Sequence, residues 1–160
     1  MTGDPYARLA ELGLELPTVV PPVAAYVPAV QTGTHVYVSG QLPMVDGKLP
    51  AVGKVGAEVT ADEAKELAGR CALNALAAID ALVGLDRVVR VVKVVGFVAS
   101  ASGFTDQSTV INGASELFGA VFGDSGRHAR SAIGVAELPL GTPVEVEVIV
   151  EVTAGAGQPA

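Results

Sequence analysis

The 160-residue sequence has one cysteine, no tryptophan and only ten basic residues. A single thiol, Cys71, cannot form an intramolecular disulfide, which excludes a disulfide-stapled scaffold and fits a reducing compartment. The scattered lysines and arginines, set against 17 acidic residues, leave a net charge of −7, which argues against broad binding to a nucleic-acid backbone. The most apolar stretch is interrupted by Arg90 and Lys93 and is too short to span a bilayer, and no secretory leader opens the chain. We therefore expect a cytoplasmic protein with neither nucleic acid nor membrane as a partner.

Aromatic residues are also few, at 4% of the chain, whereas half of all residues are apolar and valine and alanine dominate. A chain of this length is most simply one domain spanning residues 1–160, with a loose tail over 154–160. A domain this small has much surface to cover, so part of the apolar excess is expected to be buried between subunits. A well-packed monomer with a valine-rich sheet fits the same composition.

Helix and strand signals follow one another along the chain. Asp4 and Pro5 open a short helix that Gly13 ends, and the proline-rich stretch 16–28 predicts an extended lead-in. A capping box at 60–63 starts a long helix. The other predicted elements are a strand at 35–39, a strand or loop at 47–59, a valine-rich strand at 88–98, a helix at 106–122 and two C-terminal strands. This order predicts an α+β fold with two helices packed on one face of a mixed sheet.

The two C-terminal strands carry the most suggestive polar residues. Arg130 begins the first, and Glu145 and Glu147 alternate with valines on the second. The Pro-Leu-Gly-Thr-Pro turn at 139–143 predicts that the second strand folds back onto the first. Arginine can clamp a small carboxylate through two parallel hydrogen bonds, and a glutamate can hold and polarise a water. On the pattern alone, an exposed strand-edge arginine and a solvated strand face are the more common explanations.

The remaining candidates are less specific. His35 and His128 lie far apart with no third ligand at metal-like spacing, so each is expected to be a surface or edge histidine rather than a general base. Cys71 falls in the inner stripe of the long helix, where a small core residue is expected. Asn112 lies beside apolar residues of the second helix, so it either bonds local backbone or faces a site. No phosphate loop, nucleophile elbow or nicotinamide fingerprint is present.

Several spaced motifs together resemble one family. The stretch Arg130–Pro139, followed by Glu145, resembles the signature of the Rid proteins, the reactive-intermediate imine deaminases also called the YjgF or L-PSP family. Tyr26 and the segment 37–43 resemble the family's N-terminal strand and turn. Phe97-Val98 and Asn112 also fall in the family's order, and the resemblance covers residues 23–152.

The resemblance implies a chorismate-mutase-like fold that assembles as a homotrimer around a central β-barrel, with sites in clefts between subunits. Relative to the shortest members, the chain carries an N-terminal extension over residues 1–22 and a wider loop at 47–59. These additions resemble a subgroup whose physiological substrates are poorly defined.

The activity implied by the resemblance is hydrolysis of reactive 2-enamino or 2-imino acids, such as 2-aminoacrylate, to 2-keto acids and ammonia, with neither metal nor organic cofactor. By position, Arg130 would bind the substrate carboxylate and Glu145 would orient water or carry its proton. The backbone of Ala132, where many members have cysteine, would hold the imine nitrogen or the water. The pocket would also be lined by Tyr26, Ser39 and Asn112. Two other functions remain open, namely a module that binds 2-keto acids without turnover and, less compatible with the charge and the lack of a histidine pair, an L-PSP-type endoribonuclease or translation inhibitor.

Overall fold

The computed structural model describes residues 3–19 and 25–155. It contains three helices and five strands in the described residues. Their bounds are α1 Pro5–Glu11, β1 Ala29–Thr32, β2 His35–Gln41, α2 Ala61–Val83, β3 Val88–Ala99, α3 Gln107–Phe122, β4 Ala129–Val135 and β5 Val144–Val152. The mixed α+β fold expected from the sequence is therefore confirmed.

One sheet contains all five described strands, in the order β1-β2-β5-β3-β4. Every neighbouring pair is antiparallel except β3 and β4, which run parallel because α3 carries the chain back between them. The expected hairpin between the two C-terminal strands is wrong. The turn at 139–143 exists, but β5 pairs with β2 and β3, so β3 lies between the strand of Arg130 and the strand of Glu145.

The helices cover one face of the sheet, and their ends follow local sequence signals. In α2, the Thr60 hydroxyl accepts a hydrogen bond from the backbone N–H of Glu63, whose carboxylate accepts one from the Thr60 backbone, and Gly84 ends the helix with φ 87°. In α1, the Asp4 carboxylate accepts from the Tyr6 backbone N–H, as Asp4 and Pro5 predict. The core is built from the small residues of α2, the apolar stripe of α3 and the inward-facing valines of β5.

The opposite face of the sheet is not covered by any described element and is partly apolar. We call it the open face. Val30, Tyr37 and Ile133 lie on it with about half of their surface exposed, at 51%, 47% and 45%. A shallow depression of about 260 Å³ runs across it between β1, β2, β3 and β5. Monomeric domains rarely leave such an apolar face exposed to solvent.

Some expectations differ from the structure or fall outside it. The short edge strand β1 was not predicted from the sequence; it directly follows the proline-rich stretch 16–28. Residues 47–59 form a loop with single bridges rather than a strand, and Asp46 and Gly47 turn the chain with φ 49° and 75°. Residues 20–24 of the extended lead-in and 156–160 of the tail lie outside the described residues. No helix in the described ranges has the length and apolar character needed to cross a membrane.

Candidate functional site

Arg130 lies at the start of β4 and points to the helix side of the sheet, because its register partner Val94 is a core residue. Its guanidinium Nη1 donates to Asn112 Oδ1 at 2.7 Å and to Ser115 Oγ at 3.3 Å. Nη2 donates to the Ser108 carbonyl at 3.4 Å. The structure thus brings together Arg130 and Asn112, two residues singled out in the sequence, beneath the N-terminal half of α3.

All three acceptors of Arg130 are neutral. Across residues 3–19 and 25–155, no carboxylate lies within ion-pair distance of its guanidinium. Nη1 has two acceptors and Nη2 has one, whereas Nε has no acceptor among the described residues, so the edge formed by Nε and Nη2 is at most partly used. That edge has the geometry to take a carboxylate through two parallel bonds. Ala132 lies two residues further along the same face of β4 and packs on the core.

Two further residues support Arg130 and were not recognised from the sequence. Ser115 Oγ lies 2.8 Å from His128 Nε2, and His128 Nδ1 lies 2.6 Å from the Gly126 carbonyl oxygen. His128 is partly buried and has specific hydrogen-bond partners, and the Phe118 ring lies edge-on to it at 6.1 Å. A periodic signal exists in the sequence, since Asn112 and Ser115 share a helix face at i, i+3.

Glu145 belongs to a different place, the open face of β5. It pairs in register with Phe97, whereas the valines on either side of it point into the core. Its carboxylate lies over Gly40, where any side chain would overlap it. Burial raises the pKa of the Glu145 carboxyl above its ordinary value, and the neighbouring charge of Glu147 raises that pKa further.

Ser39 adjoins Gly40, over which the Glu145 carboxylate lies, and Tyr26 lies in the segment that Ser39 contacts. The Ser39 hydroxyl donates to the Val27 carbonyl at 2.6 Å, which joins the turn at the end of β2 to the segment that carries Tyr26. Tyr26 is 55% exposed. Hence the six residues singled out from the sequence form two groups. One, the arginine half, contains Arg130, Asn112 and Ala132, and the other, the glutamate half, contains Glu145, Ser39 and Tyr26.

Comparison with known proteins places these features in a family. The sequence model of the Endoribonuclease L-PSP family matches residues 17–152, which include both halves. The chain belongs to the L-PSP family. The resemblance stated from the motifs is thereby confirmed at the level of the family and its fold.

Three relatives of this L-PSP protein span nearly its whole length. Protein TCP17 of Trypanosoma cruzi is 46% identical over 152 residues, which cover 94% of this chain and 95% of TCP17. Protein Atu1372 of Agrobacterium tumefaciens, described as having unknown function, is 45% identical, with a TM-score of 0.85 over 93% of this chain and 92% of that one. A candidate endoribonuclease from Shewanella oneidensis is 30% identical, with a TM-score of 0.90 over 94% and 100% of the two chains.

Within one chain of this L-PSP protein, the two halves face opposite sides of the sheet. Arg130 points to the helix side of β4, and Glu145 points to the open face of β5, with β3 between the two strands. The part of the chain that the structure describes contains no group of three or more His, Cys, Asp or Glu residues placed to hold a metal ion. Arg130 and Glu145 therefore belong to separate surfaces of the subunit.

Proposed function

We propose that this protein is an imine or enamine deaminase that hydrolyses small 2-imino acids to 2-keto acids and ammonia. The observation that carries the proposal is that the Arg130 guanidinium has three neutral acceptors and no carboxylate partner, and that its Nε has no acceptor among the described residues. The edge formed by Nε and Nη2 matches a small carboxylate in charge and in geometry. The Endoribonuclease L-PSP match over residues 17–152 is consistent with this site.

Arg130 would contribute binding and orientation. A 2-imino acid carries its carboxylate on the carbon next to the C=N bond, so clamping the carboxylate also sets the position of the reacting carbon. Asn112 keeps the guanidinium in one orientation through the 2.7 Å bond. The backbone of Ala132 lies next along β4 and would meet the imine nitrogen or the water. The protonated imine is already electrophilic, so little further activation is required.

Glu145 would carry the proton. Water adds to the imine carbon while the Glu145 carboxylate takes one of its protons, giving a carbinolamine. The protonated carboxyl then returns that proton to nitrogen. The C–N bond breaks while the carbinolamine hydroxyl gives its proton back to the Glu145 carboxylate, and this releases the 2-keto acid and ammonia, which takes the proton from the carboxyl as it leaves as ammonium. A carboxyl with a raised pKa suits both steps, because it can accept and release a proton closer to neutral pH.

The site would require two copies of the chain. Because the halves lie on opposite faces of one sheet, the arginine half of one copy would have to meet the glutamate half of the next. The partly apolar open face, with Val30, Tyr37 and Ile133 about half exposed, supports burial against further copies. A closed homotrimer, the assembly that the resemblance implies, would form three equivalent sites.

Two other functions account for fewer of these features. A module that only binds 2-keto acids needs Arg130 but has no use for a proton carrier such as Glu145. An endoribonuclease, the activity in the family's name, is disfavoured by the net charge of −7. His128, one of only two histidines, is also engaged with Ser115 and Gly126.

The direct test generates 2-aminoacrylate from serine with a dehydratase and follows pyruvate release. The protein should accelerate release, and Arg130→Ala should abolish the acceleration, because losing charge-assisted bonds to the carboxylate costs about 3 kcal/mol, or roughly a hundredfold. Arg130→Lys is the matched control that retains the charge and loses the fork. An unchanged uncatalysed rate with the wild-type protein would rule out deamination of this substrate.

Glu145→Gln separates turnover from binding. Under the deaminase proposal, pyruvate should bind to this variant as it does to the wild type, while the rate of pyruvate release falls toward the uncatalysed rate. A variant with full activity would remove Glu145 from the chemistry. Incubation with single-stranded RNA tests the endoribonuclease function independently, and cleavage that survives Arg130→Ala would favour a second site.

A further inference from the structure

The hydrogen bonds that connect Gly126, His128, Ser115 and Arg130 have one possible set of donors and acceptors when the His128 ring is neutral. The Gly126 carbonyl can only accept, so His128 Nδ1, 2.6 Å away, must carry the hydrogen of that bond. In the neutral ring, Nε2 is then an acceptor, and the Ser115 hydroxyl at 2.8 Å donates to it. With its hydrogen committed to His128, the Ser115 oxygen presents a lone pair to Arg130 Nη1 at 3.3 Å.

This set of donors and acceptors has a consequence for the guanidinium. Ser115 and Asn112 together accept both hydrogens of Nη1, from two positions on the same face of α3. A planar guanidinium held at Nη1 by two acceptors and at Nη2 by the Ser108 carbonyl has little freedom to rotate. Nε, which has no described acceptor, then keeps a fixed orientation relative to α3.

We propose that Ser115 and His128 are positioning residues for Arg130, and that the His128 Nε2 acceptor holds the Ser115 hydroxyl hydrogen so that the Ser115 oxygen orients the guanidinium for a small carboxylate. This inference deepens the proposed function, on which it rests. Neither residue touches the carboxylate. His128 acts through Ser115, and Ser115 acts through Arg130.

Two substitutions of His128 each remove one of its two hydrogen bonds and keep the other. The side-chain amide of glutamine reaches the position of Nε2, so His128→Gln keeps an acceptor for Ser115 and loses the bond to Gly126. The shorter amide of asparagine reaches the position of Nδ1, so His128→Asn keeps the bond to Gly126 and loses the acceptor. If His128 only anchors the turn at Gly123–Gly126, its bond to the Gly126 carbonyl is the one that matters. If His128 positions Arg130, the bond that matters is the one it accepts from Ser115.

The experiment measures pyruvate binding by titration calorimetry for both His128 variants and for Ser115→Ala. His128→Gln should bind pyruvate like the wild type, whereas His128→Asn and Ser115→Ala should bind about tenfold more weakly, the effect of one hydrogen bond to a charged group. Thr109→Ala, which removes another hydroxyl from α3 and breaks only its bond to Asp106, is the matched control and should bind normally. Thermal unfolding of each variant separates lost affinity from lost folding.

The reverse order, with His128→Asn near wild type and His128→Gln impaired, would overturn the proposal and assign His128 to the turn. Equal affinity in all three variants would also overturn it, as would pyruvate binding that does not depend on Arg130. A protein that binds pyruvate in the expected order but does not hydrolyse 2-aminoacrylate would disprove the deaminase function and leave the positioning inference intact.

Discussion

The arginine half and the glutamate half differ in how many partners a single chain provides for their charged groups. Arg130 has three acceptors from α3, and its neighbours support each other through Ser115 and His128. Glu145 lies half-buried over Gly40 with a raised pKa, and no described cation pairs with it. The first half is therefore organised within the subunit, whereas the second presents an acidic group on a face that is still open.

This difference suits the arginine half to ligand binding and the glutamate half to proton transfer. A rigid guanidinium is suited to selecting and orienting a ligand, and a carboxyl that holds its proton more tightly is suited to moving one. Placing the two on opposite faces of a sheet keeps them from pairing within one chain, where an Arg–Glu ion pair would neutralise both. Assembly would then create the site by joining a binding surface to a proton-transfer surface.

A charged residue on the open face should have the largest effect on assembly and on turnover. Tyr37→Asp would place a carboxylate in a face that is buried on assembly, which costs several kcal/mol without a partner. We expect sedimentation to show smaller species and 2-aminoacrylate turnover to fall to background, while each subunit remains folded. Leu82→Asp on α2 changes a residue of similar exposure, 45% against 47%, away from the open face and should preserve both properties. Wild-type turnover from a monomeric Tyr37→Asp protein would contradict the two-copy site.

A methyl group added beneath Glu145 tests the glutamate half alone. Gly40→Ala places a Cβ where the Glu145 carboxylate now lies, and that flexible side chain has to move. We expect kcat to fall by about ten- to a hundredfold, the usual cost of misplacing a catalytic group, with pyruvate affinity and folding nearly unchanged. Gly119→Ala on α3, whose added Cβ would meet no atom within 4 Å, is the control. Loss of affinity without loss of kcat would place Gly40 in binding instead.

The smallest predicted effect is on stability. Because the folded state raises the pKa of Glu145, folding binds its proton more tightly, and the ionised form costs stability as the pH rises through the folded pKa. Glu145→Gln should therefore increase the free energy of unfolding at pH 8 by less than about 1 kcal/mol, since solvent screens a half-exposed carboxyl. The gain should vanish below the ordinary pKa of a glutamate.

Urea denaturation at pH 8 and pH 3.5, at one protein concentration, measures this difference. The gain should shrink in a Glu147→Gln background, because the Glu147 charge is the second cause of the raised pKa. A gain that is equal at both pH values would show that packing, not ionisation, distinguishes the glutamine variant.

Local sequence signals predicted the ends of the helices, but they did not predict which strands pair in the sheet. The capping box at Thr60 and the glycines at 84 and 123 mark the ends of α2 and α3 to within a residue, because caps depend on neighbouring side chains. The pairing of β5 with β3 depends on α3 returning the chain parallel to β3, which no short stretch encodes. The expected hairpin failed for that reason.

The site shows the same limit. Arg130 and Asn112 could be named because the family motifs carry them, and they do meet. Ser115 and His128 belong to no such motif, and their connection exists only once α3 lies over β4. The alternation of glutamates on β5 predicted a shared face, but which side of the sheet Arg130 occupies follows from its register with Val94.

The two-copy site is tested most directly by mixing two inactive proteins. Arg130→Ala and Glu145→Gln chains, carrying different tags and coexpressed, should assemble at random. In a trimer, each mixed oligomer has an intact Arg130 meeting an intact Glu145 at one of its three sites, so oligomers purified through both tags should recover roughly a third of the wild-type rate of pyruvate release. Each variant alone should remain at background. Mixed oligomers that also remain at background would show that both residues act within one chain, or that they do not share a site, and would contradict the account.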